Sequence, residues 1–309
     1  MSKYNIHNDF KKYEKTPVPL SKWALPIINA LTTLGVTVLK PVQGLLVSKR
    51  EIPGYQNRTI ELTLYEPKDI EKNAPCLIFF HGGAFVLKPA PHHMRLVAEY
   101  ALKTPCKVVF VDYRLAPNHA FPVGVEDCYA AFHWVCRHAE ALNIDKNKIA
   151  IGGDSAGGTL AAAVSLMARD RKAPRICFQM LIYPVTDARQ ITESIKNYTD
   201  TPLWNSRLTK KMWKLYLKDG VPDNREYASP MEAMSFENLP DAYVEVSEFD
   251  CLRDEGIAYA EALQKSGVNV ELNKTIGTIH GFEIAEKSEI VRESVARRIE
   301  ALKKAFKNI

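Results

Sequence analysis

The stretch 148-KIAIGGDSAGGTLAAAVSLMARD-170 decides the fold. It begins as a short apolar run, breaks into glycines around one serine, and resumes as an alanine-rich segment that favours helix. Gly152, Gly153, Gly157 and Gly158 bracket Ser155. A tight turn needs small residues for steric reasons alone. The same pattern between a strand and a helix also suits a nucleophile held on a strained bend, with Gly153-Asp154-Ser155-Ala156-Gly157 fitting G-x-S-x-G. Glycines two before and two after the serine remove Cβ atoms that would clash. The hydroxyl then stands above a helix N-terminus, whose N–H groups favour developing negative charge.

Outward from this point the chain alternates. "CLIFF" (76–80), "KVVFVDY" (107–113), "KIAIGG", "CFQMLIYP" (177–184), "AYVEVSEF" (242–249) and "VELNKTI" (270–276) read as strands. "RLVAEYALKT" (95–104), "VEDCYAAFHWVCRHAE" (125–140), "RDEGIAYAEALQKSG" (253–267) and a tail from about 287 to 306 read as helices. "RTIELTLYEP" (58–67) alternates polar and apolar side chains, as a half-exposed antiparallel strand does. Strands alternating with helices imply a mainly parallel sheet covered on both faces, with ligands beyond the carboxyl ends of its strands. Two regions break the pattern. One is residues 1–50; the other is 186–230, rich in Trp204, Met212, Trp213 and Tyr216. Together they form an expected helical cap, leaving 51–185 and 231–309 as the two parts of the core.

Composition sets limits on function. The chain has 309 residues and a formal charge of +5, with the basic excess spread along it. No Lys/Arg block with interleaved aromatics suggests nucleic-acid binding. The six cysteines (76, 106, 128, 136, 177 and 251) form no C-x-x-C pair and mostly lie in apolar runs. They read as free thiols of a reducing, cytoplasmic compartment. The stretch 23-WALPIINALTTLGVTVLKPV-42 is interrupted by Pro26, Asn29, Thr32 and Thr33 and is too short to span a bilayer, so no stable membrane insertion is expected. It reads instead as an amphipathic helix packed on the domain or near its site mouth.

A nucleophilic serine needs a base, and the base needs an orienting acid, in the chain order serine, acid, histidine. Of eight histidines only His280, in "GTIHGF" beyond the final strand, follows the serine. His7, His81, His92, His93, His119, His133 and His138 all precede it. For the acid, "YVEVSEFDCLRDEG" supplies Glu248, Asp250, Asp254 and Glu255. Asp254 and Glu255 suit the start of the next helix. Asp250, in the loop after the strand, is the first choice and Glu248 the second. "FFHGGAF" places Gly82, Gly83 and Ala84 directly after a strand, where backbone N–H groups, with that of Ala156, form an expected oxyanion hole.

"HGGAF", "VDYRLAP", "FPVGVEDCYAA", "GGDSAGG", "LIYPVTD", "YASPM", "FDCLRDEG" and "HGF" occur in that order. In this series the chain resembles the hormone-sensitive-lipase-like branch of the α/β-hydrolases, the microbial carboxylesterases. The resemblance covers roughly residues 60 to 300. It implies an α/β-hydrolase fold with a helical cap, Ser155 as nucleophile, Asp250 as acid and His280 as base. The oxyanion hole falls on the 82–84 turn and Ala156. Two positions depart from the pattern: Ala84 replaces a third glycine, and Cys251 replaces the proline after the acid. Ala84 keeps its N–H, so the hole survives if the backbone there needs no positive φ. His81 is expected to order its loop and Asp154 to anchor the bend. The resulting expectation is a serine carboxylesterase for short- to medium-chain small-molecule esters, with no metal or cofactor. Amide or lactone hydrolysis by the same residues, or a receptor-like homologue without turnover, are the alternatives. An exposed final strand allows a homodimer.

Overall fold

The computed structural model describes residues 3–220 and 224–307. One eight-stranded sheet organises them, built from β1 (Leu45–Pro53), β2 (Thr59–Pro67), β3 (Ala74–Phe80), β4 (Lys107–Asp112), β5 (Ile144–Asp154), β6 (Phe178–Ile182), β7 (Asp241–Phe249) and β8 (Val270–Ile279). Its spatial order is β1-β2-β4-β3-β5-β6-β7-β8. β2 is antiparallel to both β1 and β4, and every later pairing is parallel. The helices are α1 (Asn8–Lys11), α2 (Ala24–Thr37), α3 (Pro91–Lys103), α4 (Val123–Arg137), α5 (Ala156–Asp170), α6 (Glu193–Asn197), α7 (Ser206–Tyr216), α8 (Arg225–Ala228), α9 (Arg253–Lys265) and α10 (Glu289–Lys307).

The two-residue period of a strand sends alternate side chains to opposite faces. Cys76, Ile78 and Phe80 of β3 join the core beneath α4, α5 and α9, while Leu77 and Phe79 join the core beneath α3 and α10. Both faces of the central strands are therefore dry, which is why these strands read as continuous apolar runs. α5 is buried along nearly its whole length, and its alanines let it lie close to the sheet.

The expected core boundary at residue 50 is corrected. β1 starts at Leu45 and pairs with β2 throughout, so the boundary falls inside a strand. β1 is an edge strand whose middle, Ser48 to Glu51, is polar and exposed or half-exposed, and so lacks the apolar alternation that marks a buried strand. The segment before α2 also serves the core: the His7 N–H donates to the Gly277 carbonyl at 2.9 Å, and buried Phe10 meets Phe282. The expected 186–230 insertion contains α6, α7 and α8, with residues 221–223 outside the described residues. Among the described residues no helix is long and apolar enough to cross a membrane.

The tightest backbone contacts lie at the β5–α5 bend. A Cβ on Gly157 would sit 2.0 Å from the Phe80 carbonyl oxygen, and one on Gly153 would sit 2.4 Å from that same atom. Main chain cannot swing aside as a side-chain tip can. Gly157→Ala is expected to destabilise the fold by about 3 kcal/mol or more. Gly220→Ala meets no atom of the described residues within 4 Å and adds the strain of φ +87, about 1–2 kcal/mol. Urea unfolding of the two variants checks this order.

Candidate active site

Ser155 sits between β5 and α5 at φ 54, ψ −120, a conformation that few side-chain-bearing residues adopt. Its N–H donates to the Ile182 carbonyl at 2.8 Å, which ties the bend to neighbouring β6. His280 follows directly after β8, and Asp250 directly after β7. These three strand ends converge. His280 Nε2 lies 2.8 Å from Ser155 Oγ, and His280 Nδ1 lies 2.7 Å from Asp250 Oδ2. The other Asp250 oxygen accepts the Leu252 N–H at 2.9 Å. Asp250 is fully buried; Ser155 and His280 each keep 7 % exposure.

The remaining candidates lie elsewhere. Glu248 accepts the Gly277 N–H at 2.7 Å, so it braces the end of β8 that leads to His280 and does not meet the imidazole ring. Asp254 accepts the Ser194 N–H at 2.7 Å, and Glu255 accepts those of Thr186 and Asp187 at 2.7 and 3.3 Å. Asp254 and Glu255 stand in the first turn of α9, as their place in the sequence suggested. His7, His119, His133 and His138 are exposed. Cys251 is buried with Sγ 3.4 Å from Thr209 Oγ1 of α7, and its carbonyl accepts the Ser194 hydroxyl, so the residue after Asp250 is held by the cap.

Two expectations for the glycine turn change. The Gly82 N–H donates to Asp154 Oδ1 at 3.0 Å, and this removes Gly82 from the set free to meet an oxyanion. A Cβ at Gly82 would also lie 2.2 Å from Asp154 Oδ2. Ala84 does adopt a positive φ, +58, so the condition set for it is not met. An alanine pays about 1–2 kcal/mol for that region, and the turn keeps its shape because Val86 and Leu87 N–H groups both donate to the Gly83 carbonyl. The N–H groups of Gly83, Ala84 and Ala156 are unengaged among the described residues.

Side chains beyond these hold the arrangement, Asp154 among them as expected. His93, in the first turn of α3, places Nε2 3.1 Å from Asp154 Oδ2. Asp154 thus joins the glycine turn, the serine bend and α3. Burial opposes charge on both partners, but their mutual attraction outweighs it. The His93 pKa is raised, and that of Asp154 is held below the usual carboxylate range. His81 is different. Burial, with the charge of neighbouring His93, lowers it to about 4, and it stacks neutral on Tyr113 at 4.4 Å. On the other side of the site, the Tyr183 ring lies 4.6 Å from that of His280 and its hydroxyl donates to Glu283 at 2.6 Å. Glu283 pairs with buried Arg298, which also pairs with buried Glu245. Tyr183, Glu283 and Arg298 escaped notice because nothing in their spacing marks them; they are brought together from three separate parts of the chain.

The site opens into a cavity of about 210 Å³ that includes Gly83, Leu87, Leu203, Trp204 and Ile284, with Thr32 of α2. Trp204 lines it as the aromatic insertion suggested. Met212, Trp213 and Tyr216 do not; they are buried behind it, Tyr216 stacked on Phe85 at 3.8 Å. A larger cleft of about 610 Å³ lies at the opposite end of the sheet, beside the starts of β7 and β8.

With this geometry in view, the comparisons with known proteins are direct. A family model described as alpha/beta hydrolase fold matches residues 77–284. The chain belongs to that family, in its hormone-sensitive-lipase-like branch. It is a carboxylic ester hydrolase. It is 38 % identical to Esterase LipI of Mycobacterium tuberculosis over 215 residues, covering 69 % of this chain and 67 % of that one. It is 33 % identical to Carboxylesterase NlhH of the same organism over 258 residues, covering 82 % and 81 %. Among solved structures, a bacterial heroin esterase superposes with a TM-score of 0.90 at 33 % identity over 98 % of each chain. A thermostable esterase of Pseudomonas putida superposes with 0.89 at 30 % identity over 99 % of each.

Two outcomes test the supporting contacts. Removing Arg298 leaves two buried carboxylates without their cation, so Arg298→Met is expected to cost about 3–5 kcal/mol in urea unfolding. The His93–Asp154 pair has a defined pH window. The share from the raised His93 is complete below its unfolded pKa of about 6.5 and is lost as pH rises through the higher folded value. The share from the lowered Asp154 is present above its unfolded pKa of about 3.9 and is lost as pH falls through the folded value. The stability advantage of the native chain over His93→Gln should therefore peak between about pH 4 and 6.5 and shrink by about pH 9. An advantage that grows with alkali would refute the pairing.

Proposed function

We propose that this ester hydrolase acts through Ser155, His280 and Asp250 with an acyl-enzyme intermediate. The observation that carries the reading is the unbroken hydrogen-bonded chain from Asp250 through His280 to Ser155, at 2.7 and 2.8 Å, on the ends of three strands distant in sequence. His280 takes the Ser155 proton as Oγ attacks the ester carbonyl. Asp250 holds the proton on Nδ1, which leaves Nε2 free to accept, and stabilises the imidazolium that forms. The N–H groups of Gly83, Ala84 and Ala156, at the α5 N-terminus and the facing turn, receive the oxyanion. The alcohol leaves with the proton from His280, and water then releases the acyl group by the same route.

The substrate belongs to the same proposal. A cavity of about 210 Å³ walled by Leu87, Leu203, Trp204 and Ile284 is smaller than the roughly 300–1,000 Å³ of pockets for drug-sized ligands. It suits esters of short to medium acyl chains. The six free thiols are consistent with cytoplasmic residence. The receptor-like alternative is disfavoured because His280 is present and within hydrogen-bonding distance of the serine.

Ser155→Ala and Asp250→Asn are each expected to lower kcat by about 10³-fold or more on a panel of p-nitrophenyl esters. Glu248→Gln should cost less than about tenfold, since its carboxylate meets the Gly277 backbone of β8 and not His280. An organophosphonate should label Ser155 in the native chain. An unlabelled native chain, or full turnover by Ser155→Ala, would overturn the assignment.

A further inference from the structure

The cap carries a surface that the esterase reading does not use. Trp23, Ile27, Leu31, Leu34 and Val38 recur at intervals of four, four, three and four, which places them on one side of α2 and its flanks. All five point away from the protein, with Trp23 77 %, Leu31 65 % and Val38 71 % exposed. An apolar stripe this continuous is unusual on a soluble surface unless something covers it.

The opposite side of the same helix belongs to the catalytic cavity. Thr32 lines it, and Asn29 donates to the Val86 carbonyl and accepts the Lys88 N–H at 2.9 and 2.8 Å, in the segment that follows the glycine turn. α2 is therefore a plank across the mouth of the site, with its inner side fixed by polar contacts and its outer side greasy. An acyl group bound at Ser155 meets the inner side, so the stripe is not explained by substrate.

Charge identifies the occupant. From Lys15 to Arg50 the chain holds five basic side chains and no acidic one. Lys15, Lys22 and Lys40 are exposed, with Lys22 and Lys40 at the two ends of the stripe. α7, in the other half of the cap, adds Lys210, Lys211 and Lys214 on its exposed side and has no acidic residue. A second copy of the chain seated symmetrically on α2 would bring lysines against lysines. An anionic bilayer surface satisfies both features at once: the stripe enters the acyl–headgroup boundary and the lysines stay with the phosphates. We propose that α2 docks the enzyme on an anionic phospholipid surface, in the plane of the interface and without spanning it. The mouth of the site then lies beside the membrane, where apolar esters collect.

Vesicle flotation of the full chain tests this, with phosphatidylcholine vesicles against vesicles in which about 30 % is phosphatidylglycerol, at about 0.1 M salt. The native chain should partition at least about tenfold better onto the anionic vesicles, and high salt should erase the difference. Leu31→Ser with Leu34→Ser should lower partitioning onto the anionic vesicles about tenfold or more. Lys22→Glu with Lys40→Glu should abolish the preference for the anionic lipid. Both double variants should keep the melting temperature and the turnover of a water-soluble acetate ester. If the leucine pair fails to fold, the exposed lysine pair decides by itself. Ser155→Ala should float as the native chain does, so loss of the triad reading and loss of this one give different results. No preference for the anionic vesicles, or a dimer in sedimentation equilibrium that Leu31→Ser with Leu34→Ser dissolves, would overturn the proposal.

Discussion

The contact on which the molecule turns is between main chains. The Phe80 carbonyl, at the end of β3, lies so close to Gly153 and Gly157 that neither position has room for a Cβ. β3 and β5 are neighbours in the sheet, and α5 must leave β5 at once to cover it. The reversal is achieved by putting Ser155 at φ 54 and removing side chains on either side. Strain at one residue is tolerable because the sheet and α5, both deeply buried, over-determine the bend. The same geometry lifts the Ser155 hydroxyl out of the packed core and leaves the first N–H groups of α5 without intrahelical partners.

The two loops that complete the site have backbone demands of their own, with Ala84 at φ 58 and Gly281 at φ 69. They are held by buried charge. Asp154 secures the glycine turn through Gly82 and α3 through His93. The His280 loop is secured by Tyr183 through Glu283 and by Arg298 from the last helix, and the end of β8 before it by Glu248 on Gly277. Ion pairs in a dry interior repay their desolvation poorly. Their value here is geometric: a charge that must find its partner permits few loop conformations. The cap is built differently. Trp213 and Tyr216 attach α7 through apolar packing on Phe85 and Phe121, Trp204 lies against the His280 ring, and α2 rests on few buried side chains. The core fixes Ser155, His280 and Asp250, while Thr32, Leu203 and Trp204 from outside it line the cavity.

Much of this was legible in the residues themselves. The alternation of strand and helix, the glycine-bracketed Ser155, the position of His280 after the last strand and the acidic loop after β7 are local patterns, and local patterns follow from steric and hydrophobic periodicity. A mainly parallel, doubly covered sheet followed from them, and the resemblance carried by the motif series implied the α/β-hydrolase fold. β1 was hidden because an edge strand with a solvated middle has no apolar alternation to display. Glu248 and Asp250 are two residues apart, the first still in β7 and the second in the loop just beyond it. Spacing alone left it open.

What the sequence determined by itself is the order of elements and the identity of the groups at their ends, since each depends on neighbours a few positions away. What only the tertiary structure decided is which of those groups touch: that Glu248 meets Gly277 while Asp250 meets His280, that Gly82 is spent on Asp154, that Ala84 bears a left-handed turn, and that Arg298 joins two carboxylates. The reason is physical. Hydrogen bonds and ion pairs act over about 3 Å, and atoms separated by a hundred residues of chain reach that distance only after the sheet has packed.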